Sequence, residues 1–146
     1  MTRSTRRGIA VAASLVLIAT GCDRSTSPVG QITGTVRYQG RDLKSDEETT
    51  WNVIFVTTDA GTRFPTTIGR SGTYVLNGIP LGPVKIAILG TPRIPAALGP
   101  KRPPNPNSEH EMLRRRLSDR YSDPRKSHLE YTVVQGPQTH PIDLTD

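Results

Sequence analysis

The side chains that are chemically able to catalyse a reaction have no partners at active-site spacing. His110, His128 and His140 lack the i, i+4 spacing with which two helical histidines hold zinc. The acidic run at residues 46–48 lies in polar sequence, whereas catalytic carboxylates need a cleft that shifts the pKa of one of them. The serines in turns have no nucleophile-elbow sequence around them. We therefore predict a protein that is not an enzyme and has no cofactor and no metal site.

Cys22, the only cysteine in the chain, stands at the end of an export-signal pattern. Arg3, Arg6 and Arg7 precede an apolar run over residues 9–19. That run is too short to cross a bilayer, which takes about 20 apolar residues, and has the length of a secretion signal. A single cysteine in an oxidising compartment is either an unpaired, reactive thiol or a modified residue. The small residues directly before Cys22 favour modification.

The stretch Ile18-Ala19-Thr20-Gly21-Cys22 resembles a bacterial lipobox, in which the cysteine sulfur receives diacylglycerol and becomes the new N-terminus. The resemblance implies a signal peptide over residues 1–21 and a lipid anchor at Cys22. The protein would then be held on the extracytoplasmic side of a membrane of the bacterial cell envelope. An ordinary secreted protein with a free or buried cysteine is the alternative. Ala19 departs from the motif, which usually has Leu, Val or Ile there.

The rest of the chain predicts a tether and one domain. Residues 24–30 are small, polar and broken by Pro and Gly, so residues 22–30 are interpreted as the lipidated cysteine and a flexible tether. Residues 31–146 are enough for a single domain. The net charge of +6 falls to +3 once the three arginines of residues 1–21 are removed. A net charge this small is weak evidence for a surface that binds nucleic-acid phosphates, and we expect no nucleic-acid partner.

Short apolar runs separated by turn residues predict an all-β sandwich of seven strands. Apolar residues alternate over residues 32–38, and residues 52–57 form the continuous β-branched run that a central strand with both faces covered would have. Pro65 marks the strand at 64–68 as an edge strand. The remaining predicted strands are 73–76, 84–89, 129–133 and 142–144.

Residues 91–107 interrupt the strand pattern with six of the 13 prolines, which predicts a Pro-rich surface loop. Ser108 and Glu111 then have the spacing of a capping box. Leu113, Leu117 and Tyr121 recur on one helical face. We expect a short surface helix over residues 109–118.

The order of these motifs resembles that of a known domain family. The segment Gly34-Thr35-Val36-Arg37-Tyr38-Gln39-Gly40 is similar to the opening G-x-V-x-x-x-G of carboxypeptidase-regulatory-like domains. Residues 72–76 match their G-x-Y-x-L strand, and residues 82–88 resemble the strand that follows. Residues 121–129 resemble a segment of small planctomycete-type lipoproteins that carry this domain alone. The resemblance covers residues 30–144 and implies a seven-stranded transthyretin-like (Ig-like) β-sandwich.

Two features are candidates for binding a partner. Four arginines beside a tyrosine, with Arg125 and Lys126 nearby, form the densest cationic cluster. This cluster would bind an acidic protein, an anionic polymer or a lipid head group. The alternative is that it is only the solvated face of a helix. The single tryptophan is either a stacking platform for sugars or part of the core. The candidate interaction residues are Trp51, Arg114, Arg115, Arg116, Arg120 and Tyr121.

We therefore expect a membrane-anchored envelope lipoprotein that acts as a non-catalytic structural or protein-interaction module. Its partners would be the membrane, through the N-terminal lipid, and an envelope protein. The alternative is a module that binds carbohydrate or cell-wall polymer. The sequence leaves the oligomeric state open.

A charge placed in the predicted core tests the strand assignment. That core contains Ile32, Val36, Val53, Phe55, Tyr74, Leu76, Ile86, Ile88, Leu129, Tyr131 and Val133. Val36→Asp should prevent folding, because burying an unpaired carboxylate costs several kcal/mol against a total stability of about 5–15 kcal/mol. Thermal unfolding followed by circular dichroism measures the effect. A melting curve like that of the wild type would contradict the assignment.

Overall fold

A computed structural model describes residues 28–93 and 108–146 and shows two β-sheets packed face to face with one helix. The predicted signal peptide, Cys22 and nearly all of the Pro-rich loop lie outside the described residues. The elements within the described ranges are β1 (Val29–Tyr38), β2 (Arg41–Asp42), β3 (Thr49–Thr57), β4 (Arg63–Thr67), β5 (Thr73–Pro80), β6 (Gly82–Pro92), α1 (Glu109–Tyr121), β7 (Leu129–Val133), β8 (Gly136–Thr139) and β9 (Ile142–Leu144).

The first sheet is built around β1, which has partners on both of its edges. Ile32 pairs with Leu76 of β5 and with Gln138 of β8, so these two strands must lie on opposite edges. Farther along β1, Arg37 pairs with Asp42 of β2 and with Asp143 of β9 in the same way. The pairs with β8 and β9 are parallel, and those with β2 and β5 are antiparallel.

The second sheet has the antiparallel order β4-β3-β6-β7. One face of β3 is buried, with Trp51, Val53 and Phe55 directed into the core, while Ile54 and Val56 on the other face are half-buried. The prediction that this strand is covered on both faces is therefore wrong. β4 is an edge strand, as Pro65 predicted, because a residue without an N–H donor is tolerated at an edge.

Side-chain hydrogen bonds join the two sheets along both sides of the sandwich. On one side, Thr66 Oγ1 of β4 donates to the carbonyl oxygen of Val75 in β5 at 2.6 Å. On the other, Tyr131 Oη of β7 donates to Gln138 Oε1 of β8 at 2.9 Å. The apolar core therefore lies between two sheets whose neighbouring edges are tied together.

Nine of the eleven predicted core residues are buried, which confirms them as part of the core. The other two, Leu129 and Tyr131, are partly buried and pack against its margin. Sequence alternation did not identify the contributions of turns, short strands and the helix. The further buried apolar residues in this cluster are Leu43, Trp51, Ile68, Ile79, Val84, Leu117, Tyr121, Ile142 and Leu144.

An all-β architecture with one helix is confirmed, but the described residues form nine strands rather than seven. β2 has only two residues, and β8 begins with Gly136-Pro137, a pair that favours turns. β1 starts at Val29, so Val29 and Gly30 belong to a strand and not to the tether. β6 extends to Pro92, three residues beyond the predicted end of that strand. Within the described ranges, no helix is long and apolar enough to span a bilayer.

Helix α1 begins as its capping residue predicted and runs three residues past the expected end, to Tyr121. Ser108 Oγ accepts a hydrogen bond from the backbone N–H of Glu111 at 3.2 Å, which satisfies one of the free donors of the first turn. The carboxylate of Glu111 does not complete a capping box, because it is engaged by Arg114 and Arg115. Leu117 and Tyr121 are buried, so one face of the helix belongs to the core.

Gly34 lies where the carbonyl group of His140 crosses close to β1. A Cβ atom at Gly34 would stand 2.0 Å from that carbonyl oxygen and 2.9 Å from the ring of Tyr74. Tyr74 Oη donates to the same oxygen at 2.7 Å, and burial raises the pKa of its phenol. The glycine that opens the G-x-V motif is therefore required for close packing.

Gly34→Ala should destabilise the domain by about 1–3 kcal/mol, because overpacking at a rigid backbone contact outweighs the gain that Gly→Ala usually brings in a strand. Gln31→Ala, at an exposed position of the same strand, is the matched control and should change stability by less than about 0.5 kcal/mol. Urea unfolding followed by tryptophan fluorescence compares the two. Equal stability of the two variants would contradict the contact.

Candidate interaction groove

A surface groove of about 470 Å³ lies between α1 and the segment that follows β9. Three of the predicted interaction residues line it, together with side chains from the end of β1 and from residues 145–146. The residues that define this groove are Tyr38, Arg116, Asp119, Arg120, Tyr121 and Asp146.

The helical repeat places Arg116 and Arg120 four residues apart, on the side of α1 that faces the groove. Leu117 and Tyr121, also four residues apart, are buried and hold the helix on the core. Tyr121 Oη donates to the carbonyl oxygen of Thr145 at 2.8 Å and accepts from its N–H at 3.0 Å. These two bonds fix the far wall of the groove to the helix.

Three donors converge on the carboxylate of Asp146 at one end of the groove. Tyr38 Oη and Gln39 Nε2 hydrogen-bond to its two oxygens, and Arg116 Nη1 lies 3.5 Å from Oδ1. Arg116 Nη1 also donates to Tyr38 Oη at 3.2 Å, and this bond is the main cause of a raised pKa of the guanidinium. The arrangement shows that this end of the groove can bind a carboxylate.

Arg120 has no ion-pair partner among residues 28–93 and 108–146. Its guanidinium carbon lies 5.5 Å from the centre of the Tyr121 ring, within the range of a cation–π contact. The groove therefore combines one cation already shared with Asp146 and one that is available to an anionic ligand. Asp119 on the same wall limits the net positive charge.

Arg114 and Arg115 do not belong to the groove, because both bind the buried carboxylate of Glu111. Arg114 donates to it at 2.9 and 2.5 Å, and Arg115 Nε donates at 3.1 Å. The hydrogen bond from Arg114 is the main reason that the pKa of Glu111 is lowered. The four arginines of the predicted cluster are thus divided into a pair that binds Glu111, of which Arg115 is exposed, and a pair that lines the groove.

Trp51 is only 3% exposed, so the prediction of a stacking platform at this position is wrong and core packing is correct. Its cross-strand partner is Gly90, where a Cβ atom would stand 2.7 Å from the indole and 3.0 Å from Cγ of Arg114. The indole fills the space that the glycine leaves and is covered by the helix.

Two of the three histidines have partners that their spacing did not reveal. His110 Nδ1 lies 3.3 Å from a carboxylate oxygen of Asp46, and Nε2 lies 3.9 Å from one of Glu48. His140 stacks on Tyr131 with ring centres 4.1 Å apart, and burial lowers the pKa of its imidazole. No group of three or more His, Cys, Asp or Glu residues within the described parts of the chain could hold a metal ion.

Sequence reasoning missed Tyr38, Asp119 and Asp146 as groove residues. Asp119 lies one residue before Arg120 on a helix that the sequence predicted too short. Tyr38 and Asp146 meet because β9 pairs in parallel with β1, with Leu144 opposite Tyr38. No local pattern in either segment specifies that pairing.

Comparisons with known proteins identify no family. No protein-family model matches the chain, and no curated protein matches it. Among solved structures, the chain is similar to one described as "The Bacillus anthracis TIE protein", with 13% sequence identity and a TM-score of 0.38. That match covers 81% of this chain and 16% of the other, so this chain spans about a sixth of its length. A likeness of this size supports no conclusion about fold or function.

Glu111→Gln should destabilise the domain by about 1–3 kcal/mol, because it removes the charge from hydrogen bonds made by two arginines to a buried group. The effect should depend on pH. Since the pKa of Glu111 is lower in the folded chain, the unfolded chain binds the proton first, and the stabilisation is lost as the pH falls below about 4.3.

Urea unfolding at pH 7 and at pH 3 measures both effects. Glu109→Gln is the matched control, since Glu109 lies exposed in the same helical turn. The difference in stability between the two variants should be smaller at pH 3 than at pH 7. A difference that stays constant with pH would show that the charge of Glu111 is not what stabilises the helix.

Proposed function

We propose that the protein is a lipid-anchored lipoprotein of the bacterial envelope whose β-sandwich is a non-catalytic interaction module. One observation carries the proposal: the groove lies at the opposite end of β1 from the point where the chain enters the sandwich. β1 runs from Val29 to Tyr38, and ten residues at about 3.3 Å each span about 30 Å. With Cys22 in a membrane, the groove would face away from the lipid.

The charges of the groove support an anionic segment of an envelope protein as the partner. Arg120 is unpaired within the described ranges, and the donors around Asp146 already hold one carboxylate. Guanidinium groups bind planar carboxylates with two hydrogen bonds in a fixed geometry, which favours an acidic peptide. Such a contact would be weakened by salt, because the groove is open to solvent.

The assignment of the β-sandwich to one fold family is also a proposal. We infer a transthyretin-like sandwich of the carboxypeptidase-regulatory-like type from the positions of its motif residues. Gly34 pairs with Tyr74, and Ile32 pairs with Leu76, so the G-x-V and G-x-Y-x-L segments lie side by side in β1 and β5. Val36, Tyr74 and Leu76 are buried. The additional strands β2 and β8 would be extensions of that pattern.

Carbohydrate binding is the weaker candidate. It rested on an exposed Trp51, and the indole is buried. The other aromatic residues of the described ranges are buried or partly buried against the core. We therefore treat glycan capture as an outcome of the experiment that tests protein binding.

The test is crosslinked affinity capture from intact cells with three forms of the protein. The wild type should enrich one recurrent envelope protein, while Cys22→Ala and the double variant Arg116→Glu/Arg120→Glu should each lose it. The double variant Arg125→Glu/Lys126→Glu is the matched control, because it makes the same charge change at exposed positions outside the groove. Mass spectrometry of the wild type determines whether Cys22 carries lipid.

Equal capture by the groove variant and the control would contradict the groove as the binding site. Capture of the same protein by Cys22→Ala would show that binding does not depend on anchoring. Recovery of glycan or wall fragments alone would favour the carbohydrate-binding alternative.

A further inference from the structure

The end of the sandwich at which the chain enters β1 exposes three large aliphatic side chains. Val29 is 45% exposed, Leu81 is 38% exposed and Val134 is 54% exposed. Val29 starts β1, Leu81 lies in the turn between β5 and β6, and Val134 directly follows β7. We call this surface, defined by Val29, Leu81 and Val134, the entry end.

Strand register brings these three residues together although they are far apart in sequence. Val29 pairs with Pro80, which directly precedes Leu81, and Gly82 pairs with Val133, which directly precedes Val134. Gly30 approaches the same place, since a Cβ atom on it would stand 2.5 Å from Cγ1 of Val133. Three chain segments therefore meet at this end of the sandwich, and each carries one exposed aliphatic side chain.

The entry end has few charges, in contrast to the opposite end. The charged side chains that strand register places closest to it are Asp59, in the turn after β3, Arg63 at the start of β4, and the Lys85–Glu130 pair, whose charged atoms lie 3.5 Å apart. The opposite end carries the groove arginines, the Glu111 cluster and the carboxylates around His110. Three of the six exposed large hydrophobic side chains of the described residues lie at this end, whereas Val75, Leu89 and Met112 lie elsewhere. A cluster of exposed aliphatic side chains with few charges around it suits a surface that is removed from water.

The length of the chain before β1 limits what this end can face. Six residues lie between Cys22 and Val29, and the seven Cα–Cα steps from one to the other, at about 3.3–3.6 Å each when fully extended, reach at most about 25 Å. A sandwich anchored at Cys22 must therefore keep its entry end within that distance of the lipid head groups, while the groove stands about 30 Å farther along β1.

We propose that the entry end is a membrane-docking surface, on which Val29, Leu81 and Val134 dip into the interfacial region of the bilayer that holds the lipid of Cys22. This inference rests on the proposed anchoring. Aliphatic side chains on separate tips penetrate the boundary of head groups and acyl chains by about 5–10 Å without any deep pocket. The docking sets the orientation of the whole domain and points the groove outward.

The test uses the lipidated protein reconstituted into phosphatidylcholine vesicles that contain brominated lipid, which quenches nearby tryptophan. The natural Trp51 is buried and supplies a constant background. Leu81→Trp should add emission that is quenched about twofold more strongly than that of Met112→Trp. Met112 is the matched control, since it is 52% exposed in the first turn of α1, at the groove end. Val134→Trp is a second entry-end probe in case Leu81→Trp unfolds.

The outcomes separate the docking surface from the anchor. Stronger quenching at the entry end in vesicle-bound protein supports docking. Equal quenching of the entry-end and Met112 probes in vesicle-bound protein overturns the docking surface and leaves the anchor intact. If the wild type fails to float with vesicles and Cys22 carries no lipid, both the anchoring and the docking surface are contradicted.

Discussion

The sandwich depends on β1 having a partner along each of its edges. β5 covers one edge, and the parallel strands β8 and β9 cover the other. This arrangement is possible only because Gly34 lets the His140 carbonyl cross at a distance that no side chain would permit. The same register places Leu144 beside Tyr38 and so builds one wall of the groove. Core and candidate site thus share a single backbone constraint.

Strands in which apolar and polar residues alternate could be predicted, because the alternation is visible within a short stretch of sequence. β1 and β7 follow this rule and β3 was indicated by a continuous β-branched run, whereas β8 begins with a Gly-Pro pair that favours a turn in any short window. Its strand geometry comes from pairing with β1, about a hundred residues away along the chain. The intrinsic strand propensity of a short segment contains no information about a partner so distant in sequence.

The candidate site was predictable in part for the same reason. Arg116 lay within the predicted helix and Arg120 beyond its expected end, and their distinction from Arg114 and Arg115 depends on the buried carboxylate of Glu111. The i, i+3 and i, i+4 spacing of that carboxylate to two arginines was a usable signal. The burial of Trp51 had no such signal, because it depends on Gly90 in a neighbouring strand and on the helix above it.

The parallel pairing of β1 with β8 and β9 also has a consequence for the order of folding. The first strand of the domain is completed by β8 and β9, with partners such as Thr33 and Gln138 separated by 105 residues. Contacts of such high sequence separation form slowly, since loop closure precedes any gain from pairing. One edge of β1 therefore has no partner until β8 and β9 have been synthesised.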